Sequence, residues 1–385
     1  MATPPNKKKF TKIFDELTKQ IDVDDSVQRS VPTNMNFVDE GFLTKDTGFV
    51  PFGNSEEKLC HSPYNYKKKD GTNYIIRGKG TKLQVYSDLD KQWSDIGNSP
   101  TFTENAEFGY SVYDDDLYLG NAVESLYKWD GTTFTEYNSA PKGNVLEVFE
   151  DRMFITGVIA EPLTLYYSAI GDPTDWTDTA KVIKPLGTDV VKTVKNYYGF
   201  LMVFKRESIW KISFVYDQVS TSFIPKFEQQ SGNYGAASRK SVVWVENDLW
   251  FYTGDELRSI GYTDQLTGVF GINKSVLSNQ IKETLKTISV DNYEKIVMAY
   301  NNRRFYLGVP LNTTTVDVVF VSHLLYNKVW TKYSGRTKCK VNDFIFIDNV
   351  PYTTNAVFPY GLIKWEVTTA DTVDINNNLI TEQEI

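Results

Sequence analysis

Two cysteines, two histidines and no long apolar run are the first limits this 385-residue sequence sets. Cys60 and Cys339 cannot build a disulfide framework, and they pair only if the two ends of the chain meet. No His-Glu-x-x-His, no Cys-x-x-Cys and no Gly-x4-Gly-Lys-Ser/Thr occurs, so the common zinc and phosphate-loop chemistries lack their side chains. Cys60 and His61 with His323 and Cys339 make a tetrahedral zinc set on paper. Their spacing is not that of a compact metal knuckle, and neither metal nor cofactor is expected. Arg77-Gly78-Lys79-Gly80-Thr81 lacks the third glycine of a nucleotide loop. The longest apolar run, Tyr197 to Phe204, contains Gly199 and is far too short to cross a bilayer. No membrane segment is expected. The N-terminus lacks the apolar core of a signal peptide, which predicts a soluble product made in a cytoplasm. An excess of Lys and Arg is missing too. The net charge of −8 argues against a dedicated nucleic-acid binder.

What is abundant is aromatic. Tyr, Phe and Trp number 24, 23 and 8, a vocabulary that suits pleated, half-buried surfaces rather than a helical bundle. From Asn73 onward a loose repeat sets in: a strand, a tight polar turn, a second strand of the form apolar-Tyr-apolar-Gly, then a third strand ending near a Trp. One clear copy runs Tyr110 to Tyr113, turns at Asp114-Asp115-Asp116, continues through Leu117-Tyr118-Leu119-Gly120 and reaches Trp129. Another runs Ile296 to Tyr300, turns at Asn301-Asn302-Arg303, continues through Phe305-Tyr306-Leu307-Gly308 and reaches Trp330. Weaker copies begin near Tyr74, Leu146, Thr193, Val242 and Phe344. Their starts are roughly 36 to 55 residues apart, the period of propeller blades. The prediction is an all-β fold, a β-propeller of about seven blades, with an N-terminal arm and one short helical insertion. The recurring Trp and Tyr are read as packing between blades rather than as a carbohydrate platform.

The boundaries follow from where the repeat grammar fails. Residues 1–53 read as an N-terminal helix and extended arm, 54–366 as the propeller, and 367–385 as a polar tail. In the arm, Phe10, Ile13, Phe14, Leu17 and Ile21 share one face at helical spacing. So short a helix needs cover from its own domain or a neighbouring subunit. Within the propeller, an insertion at about 262–290 carries Leu277, Ile281, Leu285 and Ile288 at helical spacing. It predicts a helix over Val276 to Thr287 with Ser275 as N-cap, laid on the propeller or on a neighbouring subunit. The short runs Lys67-Lys68-Lys69 and Asp114-Asp115-Asp116 are read as solvated turns. Lys205-Arg206, Arg239-Lys240 and Arg303-Arg304 are expected to face carboxylates or solvent rather than line a lumen together.

Carboxylates are plentiful, and glycoside hydrolysis needs only two. Sialidase-like propellers, however, repeat a Ser-x-Asp-x-Gly-x-Thr-Trp turn. The nearest stretch here, Ser168 to Trp176, has its Gly and Asp in the opposite order and occurs once. No catalytic set is therefore expected, and a carbohydrate-binding or glycan-hydrolysing propeller stands as the alternative.

That same stretch, Leu165-Tyr166-Tyr167-Ser168-Ala169-Ile170-Gly171-Asp172-Pro173-Thr174-Asp175-Trp176, resembles a strand and turn of phage-tail propellers. These are the tail nozzle (tail tubular protein B) and packaged-DNA stabilisation proteins of short-tailed phages. Upstream, Asn34 to Phe49 is similar to the family's lead-in segment, with Asp46-Thr47 where Arg-Pro is usual. The resemblance implies a structural virion protein, assembled in the host cytoplasm. Copies of itself (six in the family) would form a ring beside portal and adaptor proteins, through which duplex DNA passes. Gly171, Asp172, Pro173 and Trp176 are its structural signature: Gly171 admits a positive φ, Pro173 fixes the next φ, and Asp172 bonds backbone beyond it. Phe10, Ile13, Phe14, Leu17 and Ile21 are then suspected subunit contacts. Deleting residues up to about Val31 is expected to leave circular dichroism and melting of the propeller unchanged while abolishing ring or virion assembly. Loss of the fold, or normal assembly, would overturn that reading of the stripe.

Overall fold

The computed structural model describes residues 35–37, 43–45, 49–176, 182–183, 188–219, 222–264, 269–272, 276–324, 329–335, 339–357 and 360–365. The arm helix about Phe10, Ile13, Phe14, Leu17 and Ile21, the cap at Ser275 and the tail from 367 lie outside these residues.

Alternating apolar residues and two-residue turns make the blades. Seven four-stranded antiparallel sheets follow one another along the chain. Their innermost strands are Cys60–Lys67, Gly109–Tyr113, Val145–Phe149, Val191–Tyr197, Val242–Val245, Val297–Asn301 and Val341–Ile347, which define blades 1 to 7. In five blades the first turn has two consecutive residues at positive φ: Asp114 and Asp115, Glu150 and Asp151, Tyr198 and Gly199, Asn302 and Arg303, Asp348 and Asn349. That backbone matches the twist of the paired strands, which is why Asp, Asn and Gly recur there. The chain is a seven-bladed, all-β propeller.

The core is divided between the blades. Seven apolar clusters each lie between two adjacent blades, from blades 1 and 2 round to blades 7 and 1. Trp129 packs edge-on to Tyr74 of blade 1, Trp250 lies 4.9 Å from Phe305 of blade 6, and Trp365 meets Tyr306 and Tyr333. Each fully buried Phe or Leu contributes about 1.5–3 kcal/mol, so the interfaces hold the ring without a disulfide. Cys60 and Cys339 are both free and buried. The basic and acidic turns of blades 1 and 2 are exposed to solvent, and they also meet each other: Lys69 donates its amide to Asp115 and its ammonium to Asp114.

Three expectations need correction. The repeat starts one strand earlier than Tyr74, because Tyr74 lies in the second strand of blade 1, Asn73–Lys79, and Cys60–Lys67 is the first. That strand has a register shift between His61 and Tyr64, which hides its alternation. The Trp residues do not occupy one blade position either. Trp93 is in a fourth strand and Trp210 in a third, while Trp250 lies in a second strand as its copy of the repeat implied, since burial rather than strand number selects them. The predicted helix over Val276 to Thr287 shrinks to Lys282–Leu285. Leu277 donates its amide to Leu257, and the Ser278 hydroxyl accepts from Leu257 N–H, which ties this stretch to blade 5 instead of a helical turn. The apolar stripe is still buried, with Ile281, Leu285 and Ile288 packed on blades 5 and 6 of the same chain.

Closure of the ring uses Val50–Glu56, which pairs antiparallel with Tyr360–Lys364 as the outer strand of blade 7. The propeller thus begins at Val50, four residues inside the stretch read as arm. A bulge separates Phe52 from Glu56. Gly53 takes φ +77° there, and a Cβ would stand 2.6 Å from the Trp93 ring. The blade 7 to blade 1 cluster is small and is reinforced by a polar clamp. Arg77, fully buried, stacks 4.2 Å over Trp93 and donates to Gln84 Oε1 (2.8 Å) and Glu56 Oε1 (3.1 Å). Glu56 also accepts from Gln84 (3.0 Å), Asn54 (2.9 Å) and Lys79. Burial pushes the Glu56 carboxyl up, but the bonds from Gln84 and Lys79 outweigh it and hold it below the usual carboxylate range. Glu56→Ala leaves Arg77 buried with a lost partner and is expected to cost about 3–5 kcal/mol in urea unfolding. A carboxylate held low stabilises fully above its unfolded pKa of about 4.3 and loses that contribution as pH falls through the lower folded value. The deficit of the variant should therefore be full at pH 6 and shrink below pH 4.

Candidate functional site

The innermost strands of all seven blades surround a central cavity of about 360 Å³. Its lining includes Tyr64 of blade 1, Tyr110 of blade 2, Lys195 of blade 4 and Asp343 of blade 7, with Arg239 and Lys240 at the turn into blade 5. The blades approach so closely here that a Cβ on Gly109 would stand 2.1 Å from the Asn144 carbonyl of the next blade.

The mouth at the start of the inner strands is crossed by charge. Arg239 and Lys240 both reach Glu107, which precedes blade 2, and Lys240 also pairs with Asp343 of blade 7. Lys240 donates to the Asn342 carbonyl as well (3.2 Å). Asp343 in turn accepts the Ser62 amide of blade 1 at 3.0 Å. The Ser62 hydroxyl accepts the Phe108 amide at 2.9 Å and lies 3.2 Å from His61 Nδ1. Four blades are thereby tied across the channel axis. Burial pushes Glu107 up, but Lys240 and Arg239 outweigh it and hold the carboxyl far below the usual range. Burial lowers His61 to about 4, against the pull of Asp343 and Glu107, so its ring is neutral at pH 7. Deeper in, burial raises Glu147, opposed by Lys195 at 4.0 Å and by the Asn196 amide at 3.1 Å. The mouth carboxylates each carry a cation, and the arrangement acts as a brace.

The signature residues lie elsewhere, after the third strand of blade 3, Leu165–Tyr167. Gly171 takes φ +72° and donates its amide to the Asp151 carbonyl at 2.8 Å. Asp172 accepts from the Thr174 amide (2.9 Å) and hydroxyl (2.6 Å), and the indole of Trp176 donates to the Pro173 carbonyl at 3.0 Å. Trp176 rests on the blade 2 to blade 3 cluster. This is a locked surface loop, remote from the channel. Among the described residues no group of three or more His, Cys, Asp and Glu gathers as metal ligands, so Cys60, His61, His323 and Cys339 are not brought together.

The dibasic pairs divide. Lys205 is buried 2.8 Å from Asp189, Arg206 donates to the Thr253 carbonyl, and Arg303 is exposed. Arg239 and Lys240 do line the cavity, each held by a carboxylate. Sequence reading missed Glu107, Asp343 and the Glu56–Arg77 clamp. The one signal was the Arg239-Lys240 pair itself, which needs a counter-charge wherever it is buried.

No family model and no curated protein matches the chain. Among solved structures it is similar to the computationally designed Ika8 protein, at 11% identity over 82% of this chain and 99% of that one, TM-score 0.47. It is also similar to the extracellular domain of a protein described as a hybrid two-component system of B. thetaiotaomicron, at 11% identity and TM-score 0.53. A second structure of that domain gives 12% and 0.52. The chain covers 40% of those bacterial chains, which in turn cover 84% and 82% of it. At such identity the likeness is one of fold alone.

If the mouth is a brace, Glu107→Gln should destabilise the propeller by about 1–2 kcal/mol. This is less than the ~3–5 kcal/mol of a fully buried pair, because 36% of the Glu107 side chain remains open to solvent screening. A double-mutant cycle with Lys240→Met in urea should show a coupling of about 0.5–3 kcal/mol. Additive effects would mean that the two groups do not act together.

Proposed function

We propose that this chain is a structural ring subunit of a phage tail, of the nozzle or hub type, which helps retain genomic DNA and conduct it during ejection. The observation that carries this reading is the Leu165 to Trp176 strand and turn, whose Gly171, Asp172, Pro173 and Trp176 serve a locked loop rather than a reaction.

Two features support it. The propeller's own channel holds about 360 Å³, the volume of about twelve waters at about 30 Å³ each, and ion pairs of Glu107, Arg239, Lys240 and Asp343 cross its mouth. Duplex DNA has no path through one propeller, so a conduit has to run between copies. The first turns of the blades all lie on one face, opposite the braced mouth. They carry Asp114, Asp115, Glu150, Asp151, Glu246 and Asp348 against Lys68, Lys69 and Arg303, an acidic excess that weakens any salt-dependent hold on phosphates.

Particles made without this chain are expected to fill their heads and then lose DNA, with no ring below the portal by electron microscopy. Intact, infective particles would overturn the proposal. The isolated protein should bind duplex DNA no better than about 10⁻⁴–10⁻⁶ M near physiological salt. Nanomolar binding with a steep salt slope in fluorescence anisotropy would replace a passive conduit by a true DNA-binding surface.

A further inference from the structure

The seven blades are complete without residues 1–34, since strands between Val50 and Lys364 fill every four-stranded sheet. One element exceeds what a blade needs. The third and fourth strands of blade 4, Ile209–Asp217 and Ser222–Ser231, run 9 and 10 residues. Their register pairs Ile212 with Phe227, Phe214 with Pro225, and Tyr216 with Phe223. Partners in register share a face, so one side of this hairpin is a continuous apolar stripe. Its root is covered: Phe214 packs on Phe154 and Tyr167 of blade 3, beneath the Arg152 guanidinium. Its tip is bare. Tyr216 and Phe223 stack edge-on at 5.5 Å, and each is 56% exposed. Six of the twelve exposed large hydrophobics among the described residues belong to this one hairpin, a concentration that marks an interaction surface; Tyr216, Phe223 and Phe227 are on this side, and Val215 and Ile224 pair on the other.

The chemistry narrows the partner. Pro225 in the edge strand removes an N–H and disfavours strand addition. Lys211 and Lys226 are both engaged by Glu228, at 2.6 and 2.9 Å, which leaves little for a polyanion. Asp217 near the tip makes insertion into lipid costly. What remains is an apolar protein stripe, and this chain has one. Phe10, Ile13, Phe14, Leu17 and Ile21 stand at i, i+3, i+4, i+7 and i+11, the spacing of a helix that lays its anchors on an apolar surface.

Chain direction decides which copy supplies it. Met35–Phe37, paired with Leu43–Lys45, lies beside Val329–Ser334, the outer strand of blade 6. The bare stripe instead continues the face that packs on blade 3, turned away from blades 5 and 6. In its own copy the segment would have to pass blade 5 and wrap round the hairpin. Thirteen residues separate Ile21 from Met35, a reach of about 45 Å when extended.

We propose that the blade 3 side of this hairpin is the docking site for residues 10–21 of a neighbouring copy. The proposal rests on the ring-subunit reading for its self-association, and the test below uses purified protein without virions or DNA, so either can fail alone. Full-length Leu17→Cys and Phe223→Cys chains carrying different tags are mixed and mildly oxidised. The native Cys60 and Cys339 are fully buried and stay out of the reaction. The expected result is a disulfide between the two different chains, formed at least tenfold more than with Leu89→Cys, an exposed control on another blade. A yield no higher than that control overturns the proposal. So does a single chain carrying both changes that links only to itself. Separately, Tyr216→Ser with Phe223→Ser in the full chain should keep the parent melting temperature and weaken self-association at least tenfold by sedimentation. Parent-like association would overturn the docking site.

Discussion

A ring of blades has to be closed by strands that are far apart in the chain, and the rest of this structure depends on that junction. Val50–Glu56 finds Tyr360–Lys364 only after the whole propeller has been laid down between them. The entropy of so long a loop rises only slowly with its length, but no local contact helps to pay for it. Small apolar burial between blades 7 and 1 is joined by the Glu56, Arg77, Gln84 and Lys79 clamp. A buried cation and carboxylate are a poor source of net stability and a good source of specificity, because each is costly without the other. The clamp fixes which strand closes the ring, and the bulge at Gly53 sets its register.

The other junctions are apolar and sequential. Each blade buries one face on the blade before and one on the blade after, in the nearest-neighbour manner of repeat folds. The channel mouth is the exception, where Glu107, Arg239, Lys240 and Asp343 couple blades that are not adjacent. Those four side chains add links between non-neighbouring blades to the seven pairwise contacts. The self-association proposed above falls on the outside of the ring, at the bare hairpin of blade 4.

Fold class and an approximate count of blades were legible in the sequence alone. Aromatic and β-branched residues at period two, with Asp, Asn and Gly between them, have no other stable arrangement at this spacing, and the clear copies at Tyr110 and Ile296 fall on blades 2 and 6. The loop at Gly171 to Trp176 was equally local, since its bonds join residues at most six apart, save the tie to Asp151. Tertiary structure alone decided the rest. Cys60–Lys67 carries a bulge that spoils its period, and Val50–Glu56 has a partner at the far end of the chain. The segment from Leu277 has a helical stripe, yet bonds to Leu257 hold it out of a helix. Arg239 meets Glu107 across 132 residues of sequence. Periodicity reports which face of an element is buried. It carries no information about which distant charge that burial will bring beside it, because that choice is made only when the ring closes.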